Sequence, residues 1–205
     1  MPLLDHFHPP FRGPRRWEGF HHAWAANIAQ YLNREVFPAE FFAEPEICLG
    51  TALENFARLD VCEIRVYEEL GGAQLRAAIE LVSPANKDRP GSRRTFAAKC
   101  AGYLKQAVSV IIIDVVTKRA ANLHTDLLEA LDVSQAAWES PTHLYGIAYR
   151  PVPLQNQQSV EAWPEVLTLG QTLPVLPLWL RLDLCLPLHL EETYATTCNG
   201  LRISS

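Results

Sequence analysis

Two glutamates in the middle of the sequence, Glu63 and Glu80, are placed by their spacing to act together. Each lies in a segment where apolar and polar residues alternate, and Gly71-Gly72 joins the two segments. This pattern is typical of an antiparallel hairpin. With the two glycines as turn residues, Glu63 lies directly opposite Glu80, and the apolar residues of the two strands match on the other face.

This opposed pair needs a positive charge nearby. Directly opposed residues in a hairpin have Cβ atoms about 5 Å apart, and like charges there are unfavourable. Arg65 or Arg76 could offset the repulsion on a solvent-facing strand. The alternative is a divalent cation, because Mg²⁺ and Mn²⁺ prefer carboxylate oxygens as ligands.

Three further residues could join this pair. Asp60, just before the first strand, could complete a metal site or cap a turn. Lys99 lies at the margin of the buried stripe of the next predicted helix, where it could orient water or neutralise charge developing on a phosphate, or reach out to solvent. Lys87 follows the second strand in the segment that begins at Glu80.

A basic stretch surrounds these lysines. Residues 85–119 carry a net charge of +6, and the rest of the chain carries −11. Arg89, Arg93 and Arg94 lie in this stretch and are candidates to contact a phosphate group. The plainer alternative is a solvated helix face.

The elements that must position these residues follow from periodicity. Residues 17–36 have helical spacing, a short strand is expected at 47–49 before a turn at Gly50, and Ser92 is a candidate N-cap for a helix over 93–106. The apolar, β-branched run 108–116 predicts a central strand covered on both faces. A short helix over 122–132, strands over 142–152, 161–168 and 175–182, and a last helix over 188–198 follow.

Length and composition exclude several classes of protein. A chain of 205 residues with 48% hydrophobic and 20% charged residues is neither disordered nor fibrous. The longest apolar run is too short to cross a bilayer, and we expect no signal peptide and a cytoplasmic protein. The five cysteines are far apart without a CxxC pair, and the histidines have no zinc-site spacing. Nucleotide-binding and hydrolase motifs such as GxGxxG and GxSxG do not occur.

Seven segments resemble, in this order, the bacterial domain-of-unknown-function family 4058: WEGFHHAW, AEPEICLG, EIRVYEE, AIELVSPANKDRP, RRTFAAKCAGYL, VSVIIIDVVTKRAANLH and LGQTLPVLPLWL. The resemblance covers nearly the whole chain, and the segment from Glu80 to Pro90 is its most specific part. Membership of this family implies no particular activity.

More distantly, the hairpin and its following helix resemble the core of the PD-(D/E)XK nuclease superfamily, the restriction-endonuclease-like fold. That core has the element order α-β-β-β-α-β, which residues 17–116 are predicted to share. We therefore expect a single mixed α/β domain. It would comprise an extended arm over 1–16, a nuclease-like core over 17–135, and a β-rich extension with a C-terminal helix over 136–205.

The resemblance also implies roles for individual residues. In that superfamily, acids on two successive strands bind Mg²⁺, and a lysine two residues after the second acid assists the attacking water. Glu80 matches the second acid, and Asp60 or Glu63 would be the first. Val82 stands where the lysine is expected, so Lys99, or as second choice Lys87, would take its role.

The leading functional expectation is a nuclease-like protein that hydrolyses phosphodiesters with Mg²⁺ or Mn²⁺ and binds nucleic acid. The alternative is a non-catalytic protein of the same fold that binds a protein or nucleic-acid partner. A third reading is a structural homo-oligomer that associates through the proline-rich stretch Leu173–Leu180. No membrane partner is expected.

Overall fold

The computed structural model of the chain describes residues 1–8, 17–48, 61–133, 138–154 and 157–203. Within these ranges the chain is of mixed α/β class, with five α-helices and eight strands. In chain order they are α1 (Trp17–Tyr31), β1 (Phe41–Cys48), β2 (Val61–Glu69), β3 (Ala73–Leu81), α2 (Pro84–Asp88), α3 (Pro90–Lys105), β4 (Ser109–Asp114), α4 (Leu123–Ala130), β5 (Tyr145–Leu154), β6 (Gln157–Val166), β7 (Val175–Arg181), β8 (Leu184–His189) and α5 (Leu190–Gly200).

Six strands form one mixed sheet in the order β1-β2-β3-β4-β5-β6. Only β3 and β4 run parallel, because α2 and α3 carry the chain back across the sheet between them. Every residue of β4 is buried, as its apolar, β-branched sequence predicts for a strand covered on both faces.

Helices cover both faces of this sheet. On one face α1, α5 and the small β7–β8 sheet build a core around the fully buried Trp24. On the other face α3 packs Phe96, Cys100 and Leu104 against the sheet, as their helical spacing predicts. Ala107, which the same spacing placed in this stripe, is exposed and lies beyond the end of α3. Fully burying one such large side chain contributes about 1.5–3 kcal/mol.

The β2–β3 hairpin has the predicted register along its buried part, where Glu63 pairs with Glu80 and Ile64 with Ile79. A bulge after Val66 shifts the pairing by one residue towards the turn. The loop therefore contains three residues, Leu70 to Gly72, and the predicted two-residue turn is wrong. Gly71 and Gly72 have φ values of 68° and 135°, which favour glycine.

Several element boundaries differ from the sequence prediction. Strand β1 begins at Phe41, six residues before the expected start, because it pairs with β2 from Phe41 to Cys48. The Asn33 side chain bonds both the N–H and the C=O of Ala43 in this strand. The expected N-cap Ser92 lies inside α3, which starts at Pro90. Ser83 instead caps the separate helix α2 in a reciprocal hydrogen-bonded box with Asn86. The turn expected at Gly50 lies outside the described residues.

The C-terminal strands both extend the sheet and fold over it. Strands β5 and β6 extend the main sheet, and β7 and β8 form a separate pair on the α1 side. The helix expected from Leu188 begins two residues later, because β8 runs to His189. The leucines of the Leu173–Leu180 stretch are at most 6% exposed and face the core, whereas Val175 in the same stretch is 49% exposed.

The first eight residues form an extended arm that adds to this packing. Leu3 is 1% exposed and exchanges backbone hydrogen bonds with Gln171 and Gly170. Residues 9–16 of the predicted arm lie outside the described residues. None of the helices in the described ranges is long and apolar enough to cross a bilayer.

Candidate functional site

Three glutamates form a row across the first three strands. In the register of the sheet Glu46 of β1 pairs with Glu63 of β2, which pairs with Glu80 of β3. Paired residues point to the same face, here the face covered by α3. Glu63 and Glu80 are only 1% and 2% exposed, so this pair is buried under the helix and does not face solvent.

Lys99 of α3 lies between the two buried carboxylates. Its Nζ donates hydrogen bonds to Glu63 Oε2 at 2.9 Å and to Glu80 Oε2 at 2.7 Å. Glu80 Oε1 is a 2.6 Å ion-pair contact of the same nitrogen, and no hydrogen-bond donor for it is found among the described residues. Carboxylate oxygens from two strands therefore converge on one cation.

Arg65 and Tyr103 hold Glu63 from its other side. Glu63 Oε1 accepts hydrogen bonds from Arg65 Nε at 2.5 Å and from the Tyr103 hydroxyl at 3.0 Å. Arg65 also pairs with Glu46 at 2.5 Å. Sequence reasoning identified Arg65 but not Tyr103, although Tyr103 lies one helical turn after Lys99 and so shares its face.

Arg76, the other arginine expected to offset the pair, lies elsewhere. Its Nε donates to Glu68 Oε2 at 2.6 Å, and a terminal nitrogen donates to Gln74. Glu68 has no exposed side-chain surface and also pairs with Arg181 of β7. Arg76 therefore helps to fix the hairpin to the β7–β8 sheet.

The two buried carboxyl groups titrate in opposite directions. Burial raises the pKa of Glu80 to about 8; Lys99 opposes this rise and Glu63 adds to it. Burial also favours a higher pKa for Glu63, but the hydrogen bond with Glu80 and the charges of Lys99 and Arg65 outweigh it and hold that pKa at about 2. Burial raises the pKa of Tyr103 to about 12, so this hydroxyl stays a donor.

The position expected to hold a lysine is apolar for a structural reason. Val82 is 1% exposed and packs in the same cluster as Phe96 and Cys100. Its N–H bonds to Ile113 O, so it lies beside the end of β4. A lysine at this position would place its charge in the apolar layer under α3.

Lys87, the second-choice lysine, does not join the carboxylate pair. Its Nζ bonds to Asp114 Oδ2 at 2.8 Å, and both side chains are 0% exposed. Burial raises the pKa of Asp114 to about 6, against the opposing charge of Lys87. The pair joins α2 to the end of β4.

The three arginines expected to bind phosphate lie near the start of α3. Arg89 pairs with Asp88 at 3.5 Å, Arg93 pairs with Asp126 at 3.3 Å, and Arg94 is exposed. Arg94 precedes Lys99 by five residues, about 8 Å along the helix axis. The structure therefore places Arg93 and Arg94 on the same helix as Lys99 and Arg89 just before that helix, but none of them contacts the carboxylates in the hydrogen bonds and ion pairs of the described residues.

The remaining candidate ligand, Asp60, lies outside the described residues. Within the described ranges no three His, Cys, Asp or Glu side chains gather in a way that could hold a metal ion. Glu63 and Glu80 would therefore be the protein ligands of a cation here. Two carboxylates suit Mg²⁺, which keeps several waters and takes other oxygens from a phosphate substrate. Glu80 Oε1 has no hydrogen-bond donor among the described residues but is paired with Lys99 at 2.6 Å, so a cation would use it once Lys99 has moved away.

Comparisons with protein-family models, with curated proteins and with solved structures found no match to this chain. The resemblance to the domain-of-unknown-function family 4058 and to the PD-(D/E)XK nucleases therefore stays a prediction.

Proposed function

We propose that the chain hydrolyses phosphodiester bonds with a divalent cation held by Glu63 and Glu80 and with the assistance of Lys99. The observation that carries this proposal is that Lys99, from the helix after β3, reaches both carboxylates at hydrogen-bond distance. A lysine beside two acids on adjacent strands combines cation ligands with a group that can act on water or phosphate.

Each residue has a role in this proposal. Glu63 and Glu80 would hold Mg²⁺ or Mn²⁺, which would activate water and stabilise negative charge on the phosphate. Lys99 would leave its position between the carboxylates as the ion binds, and its ammonium group would then orient water or neutralise the developing charge. Arg65 and Tyr103 are positioning residues, because their hydrogen bonds fix the carboxylate of Glu63.

The order of elements supports a restriction-endonuclease-like core. From α1 to β4 the chain forms a helix, three antiparallel strands, two consecutive helices and a strand parallel to β3. This corresponds to α-β-β-β-α-β when α2 is counted with α3. Arg89, Arg93 and Arg94 would contact the phosphates of a nucleic acid at the start of α3.

The test is cleavage of plasmid DNA, single-stranded DNA and RNA with Mg²⁺, with Mn²⁺ and with chelator. Cleavage should need the metal and should fall by about a hundredfold or more in Glu80→Gln and in Lys99→Met. Glu69→Gln, which changes an exposed glutamate next to the turn of the same hairpin, is the matched control and should cleave normally. Metal-dependent cleavage that survives Glu80→Gln would contradict the proposal.

A second candidate is a non-catalytic protein that binds a protein or nucleic-acid partner. It is favoured by the burial of both carboxylates and by their neutralisation by Lys99 and Arg65. Melting temperature with increasing Mn²⁺ separates the two candidates, since an ion that binds only the folded state raises it. No shift and no cleavage would favour the second candidate.

A further inference from the structure

A hollow of about 350 Å³ lies beyond the end of β4, away from the glutamates. It is bounded by the N-terminal arm at Asp5, by the segment after β4, by the turn before β5, and by residues 168 and 169. A dry cavity of 150 Å³ accepts benzene, so this volume suits a molecule of roughly ten to fifteen non-hydrogen atoms. None of its lining residues belongs to the proposed catalytic site.

The hollow has an apolar floor and a polar rim. Val116 and Leu144, which are 0% and 3% exposed, line its inner part. Leu169 on the rim keeps 40% of its surface exposed and provides further apolar contact. A ligand with an apolar body fits this lining.

The side chains of Arg119 and His143, both of which can donate hydrogen bonds, also line the hollow. Arg119 is 46% exposed, and its ion pair with Asp88 at 2.9 Å uses one of its two terminal nitrogens. His143 is exposed and lines both this hollow and an adjoining one of about 70 Å³. Arginine suits planar oxyanions because its guanidinium group can donate two parallel hydrogen bonds.

The carboxylate of Asp5, which lines the hollow, already has hydrogen-bond partners within the protein. Asp5 Oδ1 accepts hydrogen bonds from the Thr117 hydroxyl at 2.7 Å and from the N–H of Phe7 at 3.0 Å. Its Oδ2 lies 2.8 Å from His8 Nδ1. Both oxygens of this carboxylate thus have partners within the protein.

The turn that presents His143 is held in an unfavourable backbone conformation. His143 has a φ of 60°, which costs a non-glycine residue free energy. Hydrogen bonds from the Ser140 hydroxyl to Leu144 O at 2.7 Å and from the Thr142 hydroxyl to Leu167 O at 2.6 Å maintain it. Such strain is found preferentially at ligand sites.

We propose that this hollow binds a small organic anion, with its apolar body over Val116 and Leu144 and its carboxylate or phosphate head between Arg119 and His143. The proposal is independent of the proposed nuclease activity. It predicts that the anionic head is required for binding and that both head groups use Arg119.

The experiment is calorimetric and NMR titration with phenyl phosphate, benzoate and the neutral benzyl alcohol. At least one anion should bind saturably at millimolar concentration and shift the amide signals of residues 116–120 and 142–144. Arg119→Gln should weaken that binding about tenfold or more. Arg34→Gln, at an exposed arginine outside the hollow and outside the proposed phosphate contacts, should not. Tighter binding of phenyl phosphate would identify a phosphate ester, and tighter binding of benzoate a carboxylate.

A second variant, His143→Gly, tests the proposal with a substitution that should not disturb folding. Glycine adopts the φ of 60° without strain, so this variant should fold at least as well as the wild type and still lose affinity for the anion. The proposal would be overturned if neither anion bound saturably or if benzyl alcohol bound as tightly as the anions. It would also be overturned if the shifted amide signals lay outside residues 116–120 and 142–144, or if Arg119→Gln bound the anion as tightly as the wild type.

Discussion

Glu80 determines how much charge is buried in the candidate site. Its carboxyl is 2% exposed and lies opposite another carboxylate, Glu63, with Lys99 as the cation that both share. When Glu80 is protonated, Lys99 and Arg65 balance Glu63 and Glu46. When Glu80 ionises, the cluster carries one uncompensated negative charge.

The first prediction concerns pH. Because the pKa of Glu80 is raised from 4.5 to about 8 in the folded protein, the folded state binds the proton more strongly than the unfolded chain. The stability that the protonated Glu80 carboxyl contributes is therefore complete below pH 4.5 and is lost as the pH rises towards 8. Glu80→Gln, which resembles the protonated form, should not show this loss. Urea unfolding at pH 5, 7 and 9 measures the difference, and parallel profiles would contradict it.

The second prediction concerns Lys99. Lys99→Met leaves two buried carboxyl groups without their common cation, and we expect a loss of about 3 kcal/mol in the free energy of unfolding. Adding Glu80→Gln should recover part of this loss, because one of the two buried acids is then removed. Lys118→Met, at an exposed lysine, is the control and should change stability by less than about 0.5 kcal/mol. Denaturant titration of the four proteins checks both statements.

At the scale of elements, the hairpin could be predicted in detail because its information is local. Alternation and a glycine pair determine which residues face each other, and the pairing of Glu63 with Glu80 follows. The bulge after Val66 was not predicted, because the alternation of apolar and polar residues continues through Val66 and Tyr67 without a break. That Lys99 reaches the glutamates depends on how α3 packs over the sheet, which spacing does not specify.

Helix α2, in contrast, has a local sequence signal but was not predicted. The sequence signal was present, since Ser83, Pro84 and Asn86 form a capping box, but a helix of five residues is too short for periodicity to reveal. Its consequence for the site is large. Lys87 is carried to Asp114, which explains why this lysine is not available to the glutamates.

The third prediction therefore concerns the link between α2 and β4. Lys87→Met leaves the fully buried Asp114 without its cation and should cost about 3–5 kcal/mol of unfolding free energy. In the double variant with Asp114→Asn, the amide oxygen can still accept from the Val116 N–H, and at least half of the loss should return. Denaturant unfolding measures both variants. A double variant no more stable than Lys87→Met would show that the pair is not the cause.

At the scale of the whole molecule, distant segments are joined by contacts that no local pattern encodes. The sequence predicted three strands in the last third of the chain and missed β8. It also did not predict that β5 and β6 extend the main sheet while β7 and β8 fold over it. The ion pair of Arg181 with Glu68 and the packing of Leu176 and Leu178 into the α1 core decide this. These partners are more than a hundred residues apart.

The N-terminal arm makes a similar long-range contact through His6. Its ring stacks on Phe20 of α1 at 4.1 Å, and its Nε2 lies 2.8 Å from the hydroxyl of Tyr194 in α5. That hydroxyl also accepts a hydrogen bond from the N–H of Leu4, so the arm contacts α5 at two points. Burial disfavours the protonated ring, so this packing requires a neutral imidazole.

The fourth prediction follows from this requirement. Burial lowers the pKa of His6 from 6.5 to about 4, with Asp5 opposing, so the unfolded chain binds the proton more strongly than the folded protein does. The stability due to His6 is complete above pH 6.5 and is lost as the pH falls towards 4.

Replacing His6 by Gln keeps an acceptor for Tyr194 but removes the titration. The wild type should therefore exceed this variant in stability by more at pH 7 than at pH 4.5, with a change of about 2 kcal/mol across that interval. Urea unfolding of both proteins at the two pH values measures this change. An equal difference at both would mean that protonation of His6 does not loosen the arm from α1 and α5.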